Sequence, residues 1–554
     1  MTATEQPAGP PPTPEPPPLA NRPAPSEVTR LLCAGVYFDG DFRRRVIEQL
    51  VEHEERPAPP SLGVDAVPVL AHALRARRRE CAAGFALGVL WALFIGLGVA
   101  GVGSQTAAAV PLPWFLAYGV VCVVSWGVGG GRGTAFTLDR AVLRRAVRGS
   151  LKAVLPVVPL AVGLLYWGLV VFAVIGGADA WAAFVFPALM VLPVAAYRVD
   201  VVSVMRHELS REAHARSPRR ELPDKPRYRR IGEAVDREQY ATLAVHDPLR
   251  PFVGVGEPYK PWSLVMELER RKPPAQRQDG VRGDPLTGRE VLDLIRPRLE
   301  DLRTSTAATS RDRLRFLEID EIVYLCVGAA GDRFTYHGVA EQHLEAAAGE
   351  GDEERRHFLR VRVGAWDEQI ALSLLVGVHT QGGMLVLEVL PHVLRPVRAE
   401  FRAADVVAAR AQDGPLRDVL VAVFAGASAN CAAGFCLAHT ALSVFRTWLT
   451  GPEYAEPDGP VASVRELGSA REVSLLQEMD VSRYVRTLQD RIASGVREAL
   501  RAKGYETGEF EQHIVTVSGG GVFIGEMSGG AVATGDRASA KHVQGDAEAK
   551  RGRT

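Results

Sequence analysis

The chain has 554 residues and carries 65 Lys and Arg against 65 Asp and Glu, so its formal charge is zero. That balance excludes the global basic field that nucleic-acid binding relies on, and no nucleic-acid partner is expected. The average hides a strong segregation: residues 82–131 contain no charged side chain, whereas 206–235 are crowded with them.

Residues 1–26 hold ten prolines and no apolar core. They read as a disordered, partly polyproline-II tail and not as a signal peptide. Residues 27–80 read as a cytoplasmic helical segment. Ser26 stands where an N-cap is needed, and Phe42, Val46, Leu50 and Val51 recur at helical spacing. His72 reads as a surface side chain.

Between 81 and 200 four stretches, about 81–103, 113–130, 151–177 and 180–197, are apolar enough to enter a bilayer. Their flanks alternate in charge. Arg75, Arg77, Arg78 and Arg79 precede the first stretch. Arg132, Arg140, Arg144, Arg145, Arg148 and Lys152 lie between the second and third, and Arg206 and Arg211 follow the fourth. The other two connections hold a single charge, Asp179. By the bias of Lys and Arg toward the cytoplasmic side, these basic residues determine the topology and keep both termini cytoplasmic. The interiors of the four stretches lack the ionisable groups that ion or proton transport uses at depth. Their glycines suit close helix packing instead.

Residues 201–240 read as a basic, proline-punctuated linker, and 241–400 as a cytoplasmic α+β domain. "PFVGVGEPYKPW", 251–262, has two of the three glycines of a dinucleotide loop. Pro258 and Pro261 follow them, and "WSLVMELE" alternates like a strand, so no helix N-terminus stands ready for a phosphate. The stretch reads as a turn, with Lys260 and Trp262 as candidate ligand contacts. "PLTGREVLDLIRPRLEDLR" is a helix, "FLEIDEIVYLCVG" and "RHFLRVRVGAW" contain strands, and "TQGG" joins two more in a hairpin. His337, Glu341 and His343 form an H-x3-E-x-H candidate metal set. Its spacing departs from the H-E-x-x-H of helical zinc sites, and a solvated loop is the alternative. No cofactor is expected.

Residues 401–460 include a run, 419–445, with no formal charge. It is rich in Ala and Gly, and it reads as membrane-associated without a crossing. Residues 461–506 contain an amphipathic helix with Val481, Val485, Leu488, Ile492, Val496 and Leu500 on one stripe. The tail, 507–554, repeats "SGGGVFIGEM" as "SGGAVATGDR", a pattern compatible with short β-rungs that need a partner or a second copy.

From the "RLLCAGVYFDGDFRRRVIEQLVEHEE" opening to the "SGGAVATGDRASA" ending, the layout resembles uncharacterised multi-pass membrane proteins of high-GC actinobacteria. The resemblance implies a plasma-membrane location and no particular activity. The expectation is therefore an α-helical membrane protein: a four-helix transmembrane bundle with a cytoplasmic α+β domain and a Gly-rich β-repeat tail. Its partners are the lipid bilayer and a protein, or a second copy, met through the tail. An anchor or scaffold fits best. A membrane-tethered enzyme or ligand sensor using 241–400 is the alternative, and a small-solute transporter ranks third.

Overall fold

The structure, a computed structural model, describes residues 26–101, 113–128, 157–176, 181–271, 285–309, 313–330, 333, 354–365, 369–410, 415–451, 458–508 and 510–511. Its main helices, in chain order, are α1 (Glu27–Phe38), α2 (Gly40–Ile47), α3 (Ala66–Gly101), α4 (Pro113–Val128) and α5 (Val157–Ile175). They continue with α6 (Trp181–His207), α7 (Pro226–Gln239), α8 (Gly288–Thr309), α9 (Pro415–Thr450) and α10 (Leu475–Ala502).

The N-terminal helices form a hub. Ser26 caps α1, its hydroxyl accepting the Thr29 N–H at 3.0 Å. Asp39 caps α2 by accepting from Asp41 and Phe42 at 2.9 and 3.0 Å. Leu31, Leu32, Phe42 and Val46 are buried with Val69, Leu70 and Ala73 of α3 in one apolar core. His72 is buried there too, its Nδ1 3.2 Å from the Tyr37 hydroxyl, so it is not the surface side chain its position suggested.

That core continues without a break into the membrane helices, through Leu87, Phe94, Tyr118, Tyr166, Phe186 and Met190. Among the described residues, three helices are long and apolar enough to cross a membrane: Ala66–Leu97 of α3, α6, and Gly426–Thr450 of α9. This corrects the expected four-helix transmembrane bundle. The expected second and third spans fall on α4 and α5, whose apolar stretches are Pro113–Gly127 and Ala161–Ile175. Among the described residues these two apolar stretches are each shorter than the three long helices. The third long helix is α9, which the sequence had suggested does not cross. Every named strand lies between Leu243 and Leu394, so the described sheet takes nothing from a β-repeat tail. The repeat at 518–537 lies outside the described residues.

Phe85, Leu93, Leu116, Leu164, Phe172, Leu192 and Leu442 are exposed on these helices. Such a belt is a liability in water and the normal surface in lipid. Between helices the contacts include aromatic pairs such as Phe94–Phe186, and α3 meets α9 through small and hydrogen-bonded residues. A Cβ on Gly84 would come within 3.0 Å of the Ala433 carbonyl oxygen. Trp91 Nε1 donates to Asn430 Oδ1 at 3.0 Å, and the Asn430 amide donates to the Gly426 carbonyl at 2.8 Å.

α9 lies antiparallel to α3, with Asn430 beside Trp91 and Cys436 beside Cys81. Yet its flanks meet. Val397 bridges Ser469, and the Arg398 N–H donates to the Gly468 carbonyl at 3.0 Å. Val397, Arg398, Gly468 and Ser469 therefore lie together on the hub side.

The soluble domain is one seven-stranded sheet with β1 (Leu243–His246), β2 (Glu257–Pro258), β3 (Trp262–Glu267), β4 (Glu318–Cys326), β5 (Arg355–Ala365), β6 (Ile370–Gln381) and β7 (Met384–Leu394). The order is β1-β4-β5-β6-β7, and both β2 and β3 pair with β7. β1 runs parallel to β4, and every other pair is antiparallel. The sheet curls into a half-barrel. Gly382 and Gly383, at φ of 60° and 82°, make the two-residue turn between β6 and β7 that "TQGG" announces. One face, with Val361, Leu374, Val376 and Leu387, is covered by α8 and α10. α8 contributes Val291, Ile295 and Leu299, and α10 contributes the stripe from Val481 to Leu500.

Gly495 of α10 sits against Ile295 of α8, where a Cβ would lie 2.7 Å from the Ile295 Cα. Gly495→Val should therefore force the two helices apart and destabilise the domain by about 1–3 kcal/mol. A thermal melt of the detergent-solubilised chain reads this directly, and an unchanged melting temperature would contradict the α8–α10 packing.

Candidate functional site: a cleft where the membrane helices meet the hub

α3 passes from the hub into the apolar belt through Arg75, Arg77, Arg78, Arg79 and Glu80. Arg75 pairs with Glu208 at 2.6 Å and with Asp200 at 3.6 Å, and Arg79 approaches Asp200 at 3.8 Å. Arg78 is exposed. Glu80 points back into the hub and pairs with Arg43 of α2; both side chains are almost fully buried. Burial alone would lower the Arg43 pKa, but Glu80 opposite it outweighs that and holds the guanidinium charged, above its ordinary value. Arg43 also donates to the Val36 carbonyl at 3.2 Å, so the pair is hydrogen-bonded as well as charge-matched.

A cleft opens beside this pair, in two parts that share Glu52, Arg77 and Ser443. The part nearer the apolar belt is a cavity of about 80 Å³, with Trp126 of α4 and Phe435 and His439 of α9 on its walls. The part farther from it holds about 330 Å³ between Arg227 and Tyr228 of α7 and Thr447 and Trp448 of α9. Ser443 donates to the Glu52 carboxylate, and Arg77 reaches the same carboxylate only at 4.0 Å. Glu54 accepts from both Arg227 and Arg230. At the level of the first cavity the Cys81 and Cys436 sulfurs stand 3.9 Å apart as free thiols, with the Thr440 hydroxyl 3.4 Å from Cys81.

Of the candidate ligand and metal residues, the structure describes Lys260 and Trp262. Lys260 is exposed in a left-handed conformation, φ 49°, with its Nζ 5.5 Å from the Tyr259 ring centre. Trp262 starts β3 opposite Val389, and its buried Nε1 has no partner among the described residues. His337, Glu341 and His343 lie outside the described residues, as do Arg132, Arg140, Arg144, Arg145, Arg148 and Lys152. Among the described residues no group of three or more His, Cys, Asp or Glu is placed to hold a metal. Of the remaining basic residues, Arg206 is exposed, Arg211 reaches Asp405 at 3.4 Å, and only Arg77 lines the cleft.

The glycine turn does bind an anion, and the anion is internal. Gly254 and Gly256, at φ of 100° and 99°, aim their N–H groups at one oxygen of Glu466, at 2.9 and 3.1 Å. The second oxygen accepts the Ser463 N–H at 2.9 Å, closing a capping box on the short helix Val464–Leu467. The S-x-x-E spacing of Ser463 and Glu466 was a readable cap signal. Nothing local tied it to glycines 210 and 212 residues away.

On the face of the sheet away from α8 and α10, Phe252 packs on Tyr324, Phe358 and His392 at ring distances of 5.1, 5.9 and 5.0 Å. Asp320 and Arg360 pair in the same layer at 2.6 Å. Burial lowers the pKa of His392 and of His246, each offset in part by a bond to a backbone carbonyl.

Two outcomes follow. Glu466→Gln keeps the shape of the carboxylate but weakens three N–H···O⁻ bonds, and should cost about 1–3 kcal/mol in a chemical or thermal melt. His246 and His392 stay neutral in the fold, whereas the unfolded chain protonates them below about pH 6.5. Stability should thus fall as pH drops below that value toward their lower folded pKa values. Melts at pH 7.5 and 5.5 test this, and replacing both histidines with Gln should reduce the difference.

Residues 261–530 match the family described as the AbeC-like domain, a little under half of the chain. The match runs from β3 through α9 and α10 and excludes the hub, α3 to α6, and β1 and β2. No curated protein and no solved structure matches the sequence. The chain is a membrane protein that carries an AbeC-like domain, a domain without a characterised activity.

Proposed function

We propose that the chain is a plasma-membrane anchor that holds its soluble sheet domain in a fixed pose at the cytoplasmic face, as a platform for protein partners. The observation that carries this reading is a set of charge pairs between hub and domain, one of them fully buried. Arg333 forms a two-pronged pair with Glu238 of α7 at 2.6 and 2.7 Å, with both side chains buried. Glu238 also accepts the Ala58 N–H at 2.6 Å. Arg398 pairs with Asp39, and Arg56 with Asp458 at 2.8 Å. Buried pairs of this kind are weak evidence for net stability, but breaking one strands a charge and costs about 3–5 kcal/mol. They suit orientation better than a flexible tether does. The cytoplasmic placement rests on the arginines before and after the membrane helices.

The cleft favours a second reading, a membrane-tethered ligand sensor, because it joins membrane helices, hub and solvent in one cavity.

Spin labels at Arg78 and Lys260 should give a single narrow distance distribution in nanodiscs. Glu238→Gln should broaden it. A broad distribution in the unmodified chain would sink the platform reading. In a cysteine-free background, Lys260→Cys should resist an impermeant thiol reagent in intact cells, and labelling from outside would reverse the assigned orientation.

A further inference from the structure

The larger part of the cleft carries charges of both signs, arranged end to end. Arg77 and Arg227 line it with Glu52 and Glu54. Arg227 is engaged by Glu54 and by the Val51 carbonyl at 3.0 Å, whereas among the described residues the Arg77 guanidinium meets only Glu52, at 4.0 Å. Two arginines thus line the cavity with two carboxylates, and Arg77 keeps N–H donors for a phosphate oxygen. The Ser443 and Thr447 side chains stand beside them.

The mouth has the opposite character. α9 ends at Thr450 and Gly451, so the negative end of a 36-residue helix faces the cavity. Trp448 is 76% exposed at the same place, an indole face open to a cation. Below it Val444, Phe445 and Leu449 are exposed along α9, in line with the apolar belt.

We propose that this cleft binds the headgroup of a zwitterionic phospholipid. The phosphate lies against Arg77 and Arg227, the amine against Trp448 and the last carbonyls of α9, and the acyl chains run down the exposed side of α9 into the bilayer. The proposal rests on α9 lying in lipid and is independent of whether the domain recruits a protein partner.

The test uses the full chain in nanodiscs made from equal parts of phosphatidylethanolamine, phosphatidylcholine and phosphatidylglycerol. Lipids that survive graded delipidation are counted by native mass spectrometry. Retention of a zwitterionic lipid in preference to phosphatidylglycerol is the expected result. Arg77→Gln should cut that retention by about tenfold, the loss of roughly one charge-assisted contact. Arg78→Gln removes the same charge from an exposed position and should leave retention intact. Thr447→Trp fills the cavity and should abolish it. Glycerophosphoethanolamine, which has no acyl chains, should compete weakly. The proposal is overturned if phosphatidylglycerol is held as well or better, if acyl-free headgroup binds as tightly as lipid, or if Arg77→Gln and Thr447→Trp both retain lipid like the unmodified chain. The selectivity of the unmodified chain decides the matter even if a variant fails to fold. Loss of the protein from the membrane fraction would instead refute the membrane reading beneath it.

Discussion

The structure depends on one helix serving two solvents. α3 is 36 residues long, a rise of about 54 Å, of which a hydrocarbon core takes about 30 Å. The rest must be buried in protein or exposed to water. The hub buries it, and the Arg43–Glu80 pair marks the crossing point. Without Arg43, Glu80 would be an unmatched carboxylate at the edge of lipid; without Glu80, Arg43 would be an unmatched cation inside the hub. The pair fixes how far α3 slides along its axis. That in turn places Arg77 over the cleft and Gly84 against Ala433.

The region similar to the AbeC-like domain is not self-sufficient in this chain. Its Glu466 is bound by Gly254 and Gly256, which precede the matched residues. Its Arg333 and Arg398 find their acids in α7 and at the start of α2. Its β4 edge is extended by β1, and Leu394 packs with Leu62 and Val255. Removing the N-terminal half would strand these charges and open a sheet edge, both costly and both prone to association. The membrane helices, hub and sheet are thus parts of one folded unit, joined at several buried polar contacts.

Periodicity revealed the elements whose signal is local. The inward stripe of α10, the alternating β5, the Gly-Gly hairpin and the Ser26 cap each declare themselves within a dozen residues. α3 and α6 stand out because long apolar runs lie next to arginines. In α9, Ala, Gly and Ser dilute the apolar signal of a helix that is nonetheless long and apolar enough to cross a membrane. Those same small residues let Gly84 and Ala433 touch, and the polar Asn430 is satisfied by Trp91 and by its own helix. The described parts of α4 and α5 are shorter than the apolar runs the sequence offered. The role of the glycine turn and the burial of His72 depend on partners distant in sequence. Local pattern carries no trace of Glu466 meeting Gly254, or of Tyr37 meeting His72.

The flanks of α9 give the cleft its mechanical interest. Val397 and Ser469 bridge on the hub face while the shaft of α9 packs on α3, α4 and α6. A rotation or tilt of α9 changes its contacts with the hub and with α3, along Ser443–Glu52 and Cys436–Cys81. A bound headgroup touching α9 through Trp448 and the hub through Arg77 would bias that angle only to the extent that it fits one arrangement better than another. The charge separation across the cavity supplies such a preference. The two-carbon linker bounds how far apart phosphate and amine can reach in a lipid, and a changed angle between α9 and the hub alters the span between Arg77 and the end of α9.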